Sequence, residues 1–235
     1  MRLVPVSAVL LATAAWGCSS NGATPSESAA LETNDQKAAY GIGMNMGVQL
    51  QAANESLDRA AFMRGFEDGL QGNESSVPEA EVQAALMEFG SRLEAEANAL
   101  RTQQGEENTA AGAAYLAQNG AKPGVTTTAS GLQYEVLRAG DGQRPTASST
   151  VRLHYRGTLV DGTEFDSSYG GEPAVFTVGG VIPGFAEGLQ LMPVGSQYRL
   201  VIPSDIAYGP AGSGPIGPNS TLIFEIELLE IVDAE

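Results

Sequence analysis

The chain has 235 residues, 43% of them hydrophobic, enough for a packed core and for one large domain or two modest ones. Its formal net charge of −16 excludes the basic footprint that nucleic-acid binding requires, and excludes attachment to anionic lipid through protein charges. That acidity serves solubility and self-repulsion, and the single cysteine rules out an internal disulfide.

Residues 1–18 read as an export signal outside the fold. Arg2 and the amino terminus supply a weakly positive start, and Val4 to Trp16 is mostly apolar, uncharged and too short for a mature membrane span. The ending Ala15-Trp16-Gly17-Cys18 resembles a bacterial lipobox, which implies that Cys18 becomes the lipidated first residue of the mature protein. The alternative is an ordinary signal peptide cleaved nearby, with Cys18 removed or left free. A lipid would tether the chain to the periplasmic or cell-surface face of a bacterial membrane. Ser19 is compatible with the outer membrane, and no later segment is apolar enough to span a bilayer. Residues 19–33 form a flexible tether, with nothing to bury between Ser19 and about Ser28.

Residues 34–124 read as a helical region. Asn34 or Thr33 caps a first helix with Ala38, Ile42, Met46 and Leu50 on one face. Ser56 or Asp58 caps a second, carrying Leu57, Ala61, Phe62, Phe66 and Leu70 and stopped by Gly72. Val77-Pro78-Glu79 starts a third, with proline in the first turn and acidic residues after it. Val82, Leu86, Phe89, Leu93, Ala97 and Leu100 follow at intervals of three and four, and Ala110 to Leu116 is helical again. One long helix from Pro78 to about Gln118 is expected, bent where Gly105 interrupts it. The helices before it are too short to cover it, so part of it is solvated or packed on a partner. Gly41, Gly43 and Gly47 suit either close approach of another helix or ordinary packing within the chain.

Residues 125–235 change character, with frequent Gly and Pro between short β-branched and aromatic runs. Leu132 to Leu137 and Thr150 to Tyr155 alternate like half-buried strands, and Asp161-Gly162 is a hairpin turn. Gln197 to Ile202 and Thr221 to Val232 read as further strands, with one short helix over Pro183 to Leu191. The expected class is α+β: helices first, then an antiparallel sheet around one short helix.

This second half resembles the FKBP-type peptidyl-prolyl isomerases over about 110 residues, through motifs in the family's order. They are Val151-Arg152-Leu153-His154-Tyr155-Arg156-Gly157, Gly162-Thr163-Glu164-Phe165-Asp166-Ser167-Ser168 and Val181-Ile182-Pro183-Gly184-Phe185-Ala186-Glu187-Gly188-Leu189. Met192-Pro193-Val194-Gly195, Ile202-Pro203, Ala207-Tyr208-Gly209 and the run from Ile216 to Phe224 complete the series. The helical half resembles the dimerisation region of macrophage infectivity potentiator-like bacterial lipoproteins. The resemblance implies a homodimer through Asn34 to about Gln104, acting on proline-containing exported or unfolded chains without metal or cofactor. It also implies a chaperone role; a holdase with little turnover is the alternative function.

By resemblance, the pocket walls are Tyr155, Phe165, Phe176, Val181, Ile182, Phe185, Tyr208, Ile216 and Phe224. Tyr155, Asp166 and Tyr208 are the expected catalytic set. The Tyr208 hydroxyl and the Ile182 backbone N–H would bond substrate carbonyls, while Asp166 would fix the Tyr155 hydroxyl or polarise the prolyl amide. Phe224, in a strand, suits core and pocket equally. Many members carry Trp where this chain has Phe185. His154, the only histidine, is expected to face away from the pocket.

Overall fold

The computed structural model describes residues 31–232. The export signal, Cys18 and most of the tether lie outside them. The chain divides into two compact units, with the boundary between Ser75 and Ser76.

In the first unit, helix α1 (Asn34–Gln49) starts at a capping box: Gln36 N donates to Thr33 Oγ1, and the Thr33 N–H returns to the Gln36 side chain. Thr33 is therefore the cap. A short 3₁₀ turn, Gln51–Ala53, leads to α2 (Arg59–Gln71), where Asp58 Oδ1 accepts from Ala60 N and Ala61 N. Neither helix has a buried residue, and a Cβ built on Gly41, Gly43 or Gly47 meets nothing within 4 Å. The glycines are thus not used for close packing inside the chain.

In the second unit, α3 runs unbroken from Glu79 to Gly120, 42 residues or about 63 Å at the α-helical rise. The single long helix expected is present and continues through Gly105, which is buried against Pro218 and Asn219 with room for a Cβ only 3.2 Å from the Asn219 amide. Gly105, Gly112 and Asn119 are the buried residues of α3, seven apart on one face. A Cβ on Gly112 would collide with Thr221 Oγ1. Farther along, Asn119 Nδ2 donates to Gln133 Oε1 at 2.9 Å, and Gln133 Nε2 donates to the Leu116 carbonyl at 2.8 Å.

After α3 come β1 (Val125–Thr127), β2 (Gln133–Arg138), β3 (Thr150–Leu159), β4 (Glu164–Ser167) and β5 (Ala174–Thr177), then α4 (Pro183–Leu191), β6 (Gln197–Ile202) and β7 (Leu222–Val232). All pairings are antiparallel, in the order β1-β2-β6-β7-β3-β4, with β5 also on β3. Leu222, Phe224, Ile226 and Leu228 of β7 alternate into the core, where α4 adds Phe185 and Leu189. On the opposite face, Glu225 and Glu135 flank Arg199, and Glu227 pairs with Arg138. These pairs are partly solvated, so apolar burial dominates the sheet's stability. α4 and β6 occupy the expected residues; the short strands β1, β4 and β5 and the 3₁₀ turns are additions to the sequence reading.

Candidate active site

The concave side of the sheet gathers aromatic rings from four strands and one helix. Phe185 on α4 is central, with its centroid 4.9 Å from Phe224 on β7, 6.2 Å from Phe176 on β5 and 6.4 Å from Tyr155 on β3. Tyr155 lies 5.6 Å from Phe176 and 6.3 Å from Phe224, and Phe165 on β4 lies 5.5 Å from Phe224. Most of these pairs are edge-to-face, the arrangement that ring quadrupoles favour. Gly157 makes the convergence possible, since a Cβ there would sit 2.5 Å from the Phe165 ring and 2.9 Å from that of Phe224.

Val181 and Ile182 precede α4 and pack against the same cluster, and Ile216 reaches it from the loop between β6 and β7. The Ile182 carbonyl accepts from Phe185 N and Ala186 N, both at 3.0 Å, which anchors the start of the helix. Pro183 at the first helical position costs nothing there, having no N–H to leave unpaired. Phe224 answers both readings of the sequence: it is buried in the core and also contacts three of the converging rings.

Two polar groups edge this apolar basin. The Tyr155 hydroxyl donates to Asp166 Oδ2 at 2.5 Å, and Asp166 is itself exposed. Burial first, and then this bond to the carboxylate, push the Tyr155 phenol above its ordinary value. Tyr208, 40% exposed, stands outside the buried cluster on the loop after β6, just before the 3₁₀ turn Gly209–Ala211.

His154, next to Tyr155 on β3, turns aside: its ring stacks on Tyr169 at 5.2 Å, and Nδ1 lies 3.1 Å from Ser168 Oγ. Sequence reasoning missed Ser168 and Glu164 as braces. Ser168 Oγ accepts from Tyr155 N at 2.9 Å, and Arg156 Nε donates to Glu164 Oε2 at 2.6 Å, locking β3 to β4 on either side of the tyrosine–aspartate bond. It also missed Arg101 and Asn108 of α3, which bond the loop that carries Tyr208 and Ile216. The seven-residue recurrence of Gly105, Gly112 and Asn119 was the available signal.

Comparison with known proteins bears on this arrangement. Residues 142–229 match the family described as FKBP-type peptidyl-prolyl cis-trans isomerase, and residues 35–136 match the domain amino terminal to it. The chain is 47% identical over 204 residues to the FKBP-type 22 kDa peptidyl-prolyl cis-trans isomerase of Escherichia coli (strain K12), covering 86% of this chain and 97% of the relative. It is 41% identical over 210 residues to the outer membrane protein MIP of Legionella longbeachae, covering 88% and 90%. The crystal structure of FkpA from Escherichia coli superposes with a TM-score of 0.68 at 38% identity, covering 88% of this chain and all of that one. With both halves matched, the chain belongs to the FKBP-type peptidyl-prolyl cis–trans isomerases, and rotation about X-Pro bonds is its activity.

Proposed function

We propose that the aromatic basin takes the proline ring of an exported polypeptide, with Tyr155, Asp166 and Tyr208 as the groups that act on the twisting amide. The supporting observation is the convergence of Tyr155, Phe165, Phe176, Phe185 and Phe224, edged by the Tyr155–Asp166 bond. Rotating an amide costs about 18–20 kcal/mol, because the planar form is stabilised by resonance. Twisting removes the resonance and lowers the bond's dipole, so a dry apolar wall favours the twisted form over the planar one. Val181, Ile182 and Ile216 extend that wall. The Ile182 N–H and the Tyr208 hydroxyl donate to substrate carbonyls in this reading. The Asp166 carboxylate accepts from Tyr155, holding that phenol in place at the basin's edge. Exchange spectroscopy on an Ala-Leu-Pro-Phe-type peptide tests the assignment: fast exchange with the unmodified chain and slow exchange with Asp166→Leu are expected. Equal rates would refute it.

Residues 34–124 are read as the dimerisation module, with Asn34 to about Gln104 forming the contact. Ile42, Val48 and Leu70 are 62%, 63% and 74% exposed, apolar surface that a second copy would cover. Such a dimer would offer two basins to one unfolded client, which suits folding-chaperone activity alongside isomerisation. Attachment through a lipid on Cys18, at the outer membrane and facing the periplasm or the cell surface, is part of the same proposal. The relative named outer membrane protein MIP supports the outer-membrane part of this reading. Among the described residues no helix is long and apolar enough to cross a membrane. Mass spectrometry of the membrane fraction tests the anchor, which an unmodified or absent Cys18 would overturn.

A further inference from the structure

The segment from Ala207 to Ser220 carries Tyr208 near one end and Ile216 near the other, and it is poor in regular structure. It closes on itself through Asn219 N to the Gly209 carbonyl at 2.9 Å and a two-way bridge between Ser213 and Ile216. From outside, α3 grips it at several points. Arg101 Nη2 donates to the Ala211 carbonyl, and Asn108 Nδ2 donates to the Pro218 carbonyl at 2.8 Å and to Ser220 Oγ at 3.3 Å. Ser220 Oγ passes the bond on to the Gly217 carbonyl at 2.9 Å. In the other direction, Asn219 Nδ2 reaches the Gly105 carbonyl at 3.4 Å. Asn219 is also the one described non-glycine residue with positive φ, at 53°.

This contact joins hydrogen bonds to close approach at Gly105 and Gly217, where an added Cβ would lie 3.2 Å from the Asn219 amide and 2.9 Å from the Gln104 amide respectively. Helix and loop leave between them a groove of about 590 Å³, lined by Arg101, Thr109, Ala113, Pro210 and Pro218 among others. A segment of little regular structure beside such a groove depends on those bonds as well as on the packing for its conformation, and losing one returns entropy to the loop. We propose that Arg101 and Asn108 of α3 are positioning residues of the isomerase: they hold the Ala207–Ser220 loop so that Tyr208 and Ile216 meet substrate, and they set its affinity. The helix is then part of the substrate site as well as a connector. This rests on the assignment of Tyr208 and Ile216 to the prolyl basin.

Loosening the loop weakens the hold of Ile216 on planar and twisted substrate alike, which raises KM, and takes Tyr208 off the twisting amide, which lowers kcat. In the full chain, Asn108→Asp keeps the shape but removes the donor facing the Pro218 carbonyl. It is expected to raise KM for a proline tetrapeptide about fivefold to tenfold and to lower kcat as well. Amide signals of Gly209, Gly212 and Gly217 should broaden by microsecond–millisecond exchange. Arg101→Ala should behave similarly and Arg101→Lys should recover. Gln133→Ala, which loosens the far end of α3 away from the loop, is the control for mere loss of stability and should keep KM. Unchanged KM and loop signals in both Asn108→Asp and Arg101→Ala would overturn the proposal, as would an equal KM rise in Gln133→Ala. Asp166→Leu is run in parallel to separate the two ideas. If it retains wild-type kcat, the basin assignment itself fails; if it is impaired while Asn108→Asp is normal, only the positioning role falls.

Discussion

The Tyr155 hydroxyl and Asp166 Oδ2 are 2.5 Å apart, linking β3 to β4 where Gly157 and Asp166 are register partners. The carboxylate is exposed and the phenol half-buried, so the bond ties a solvated charge to the edge of an apolar basin. Replacing Asp166 by Leu leaves the phenol without its acceptor. A hydrogen bond to a charged group is worth about 1.5–3 kcal/mol, so kcat/KM should fall roughly tenfold to a hundredfold. Peptide exchange rates at matched enzyme concentration measure this directly.

The same bond sets a pH dependence. The folded chain holds the Tyr155 proton above the ordinary tyrosine value of 10.0, chiefly through burial and then through Asp166. The unfolded chain releases that proton first, so unfolding becomes more favourable as pH rises through 10.0 towards the folded value, and is unaffected below it. Activity, which uses no proton transfer in the proposed mechanism, should be flat between about pH 6 and about pH 9. Denaturant melts across the alkaline range, compared with Tyr155→Phe, check the first statement; a rate profile checks the second.

Phe185 makes ring contacts with Tyr155, Phe176 and Phe224. Phe185→Leu keeps an apolar floor but removes all three, each worth about 0.5–1.5 kcal/mol beyond burial. A stability loss of roughly 1–3 kcal/mol is expected, read as a lower urea midpoint at constant slope, together with reduced turnover.

Gln133 is buried between Asn119 and the Leu116 carbonyl. Gln133→Ala orphans both partners and should cost about 1–3 kcal/mol, seen as an earlier thermal transition with activity retained.

Sedimentation of the unmodified chain should give a dimer at micromolar concentration. Ile42→Glu combined with Val48→Glu should shift it towards monomer while leaving peptide turnover intact. A monomeric unmodified chain would remove the dimerisation reading.

The strands and helix that bury apolar residues at a regular period were legible in the sequence. β7 alternates Leu222, Phe224, Ile226 and Leu228 inward, and Pro183 marks the start of α4. β1, β4 and β5 were not, because three or four residues carry too few side chains to display a period. The docking face of α3 was invisible for a different reason. Apolar periodicity traces Val82 to Leu100, none of it buried, whereas the face that packs is built from Gly105, Asn108, Gly112 and Asn119. In the site, the converging rings followed from motif order. Tyr208 stands outside the buried cluster on a loop bonded by a helix a hundred residues earlier, an attachment no local pattern announces.

That docking face has a consequence for how the chain tolerates change in length. Each residue added to an α-helix turns everything before it by about 100°. Gly105, Gly112 and Asn119 must share one azimuth to let the backbone in against Pro218, Thr221 and Gln133. A one-residue insertion between Gly105 and Gly112 would swing a side chain into the contact, whereas a seven-residue insertion would nearly restore the phase. The direction in which the aromatic basin faces around the α3 axis is therefore written as a residue count, and drift in that count would re-aim the enzyme without touching a catalytic side chain.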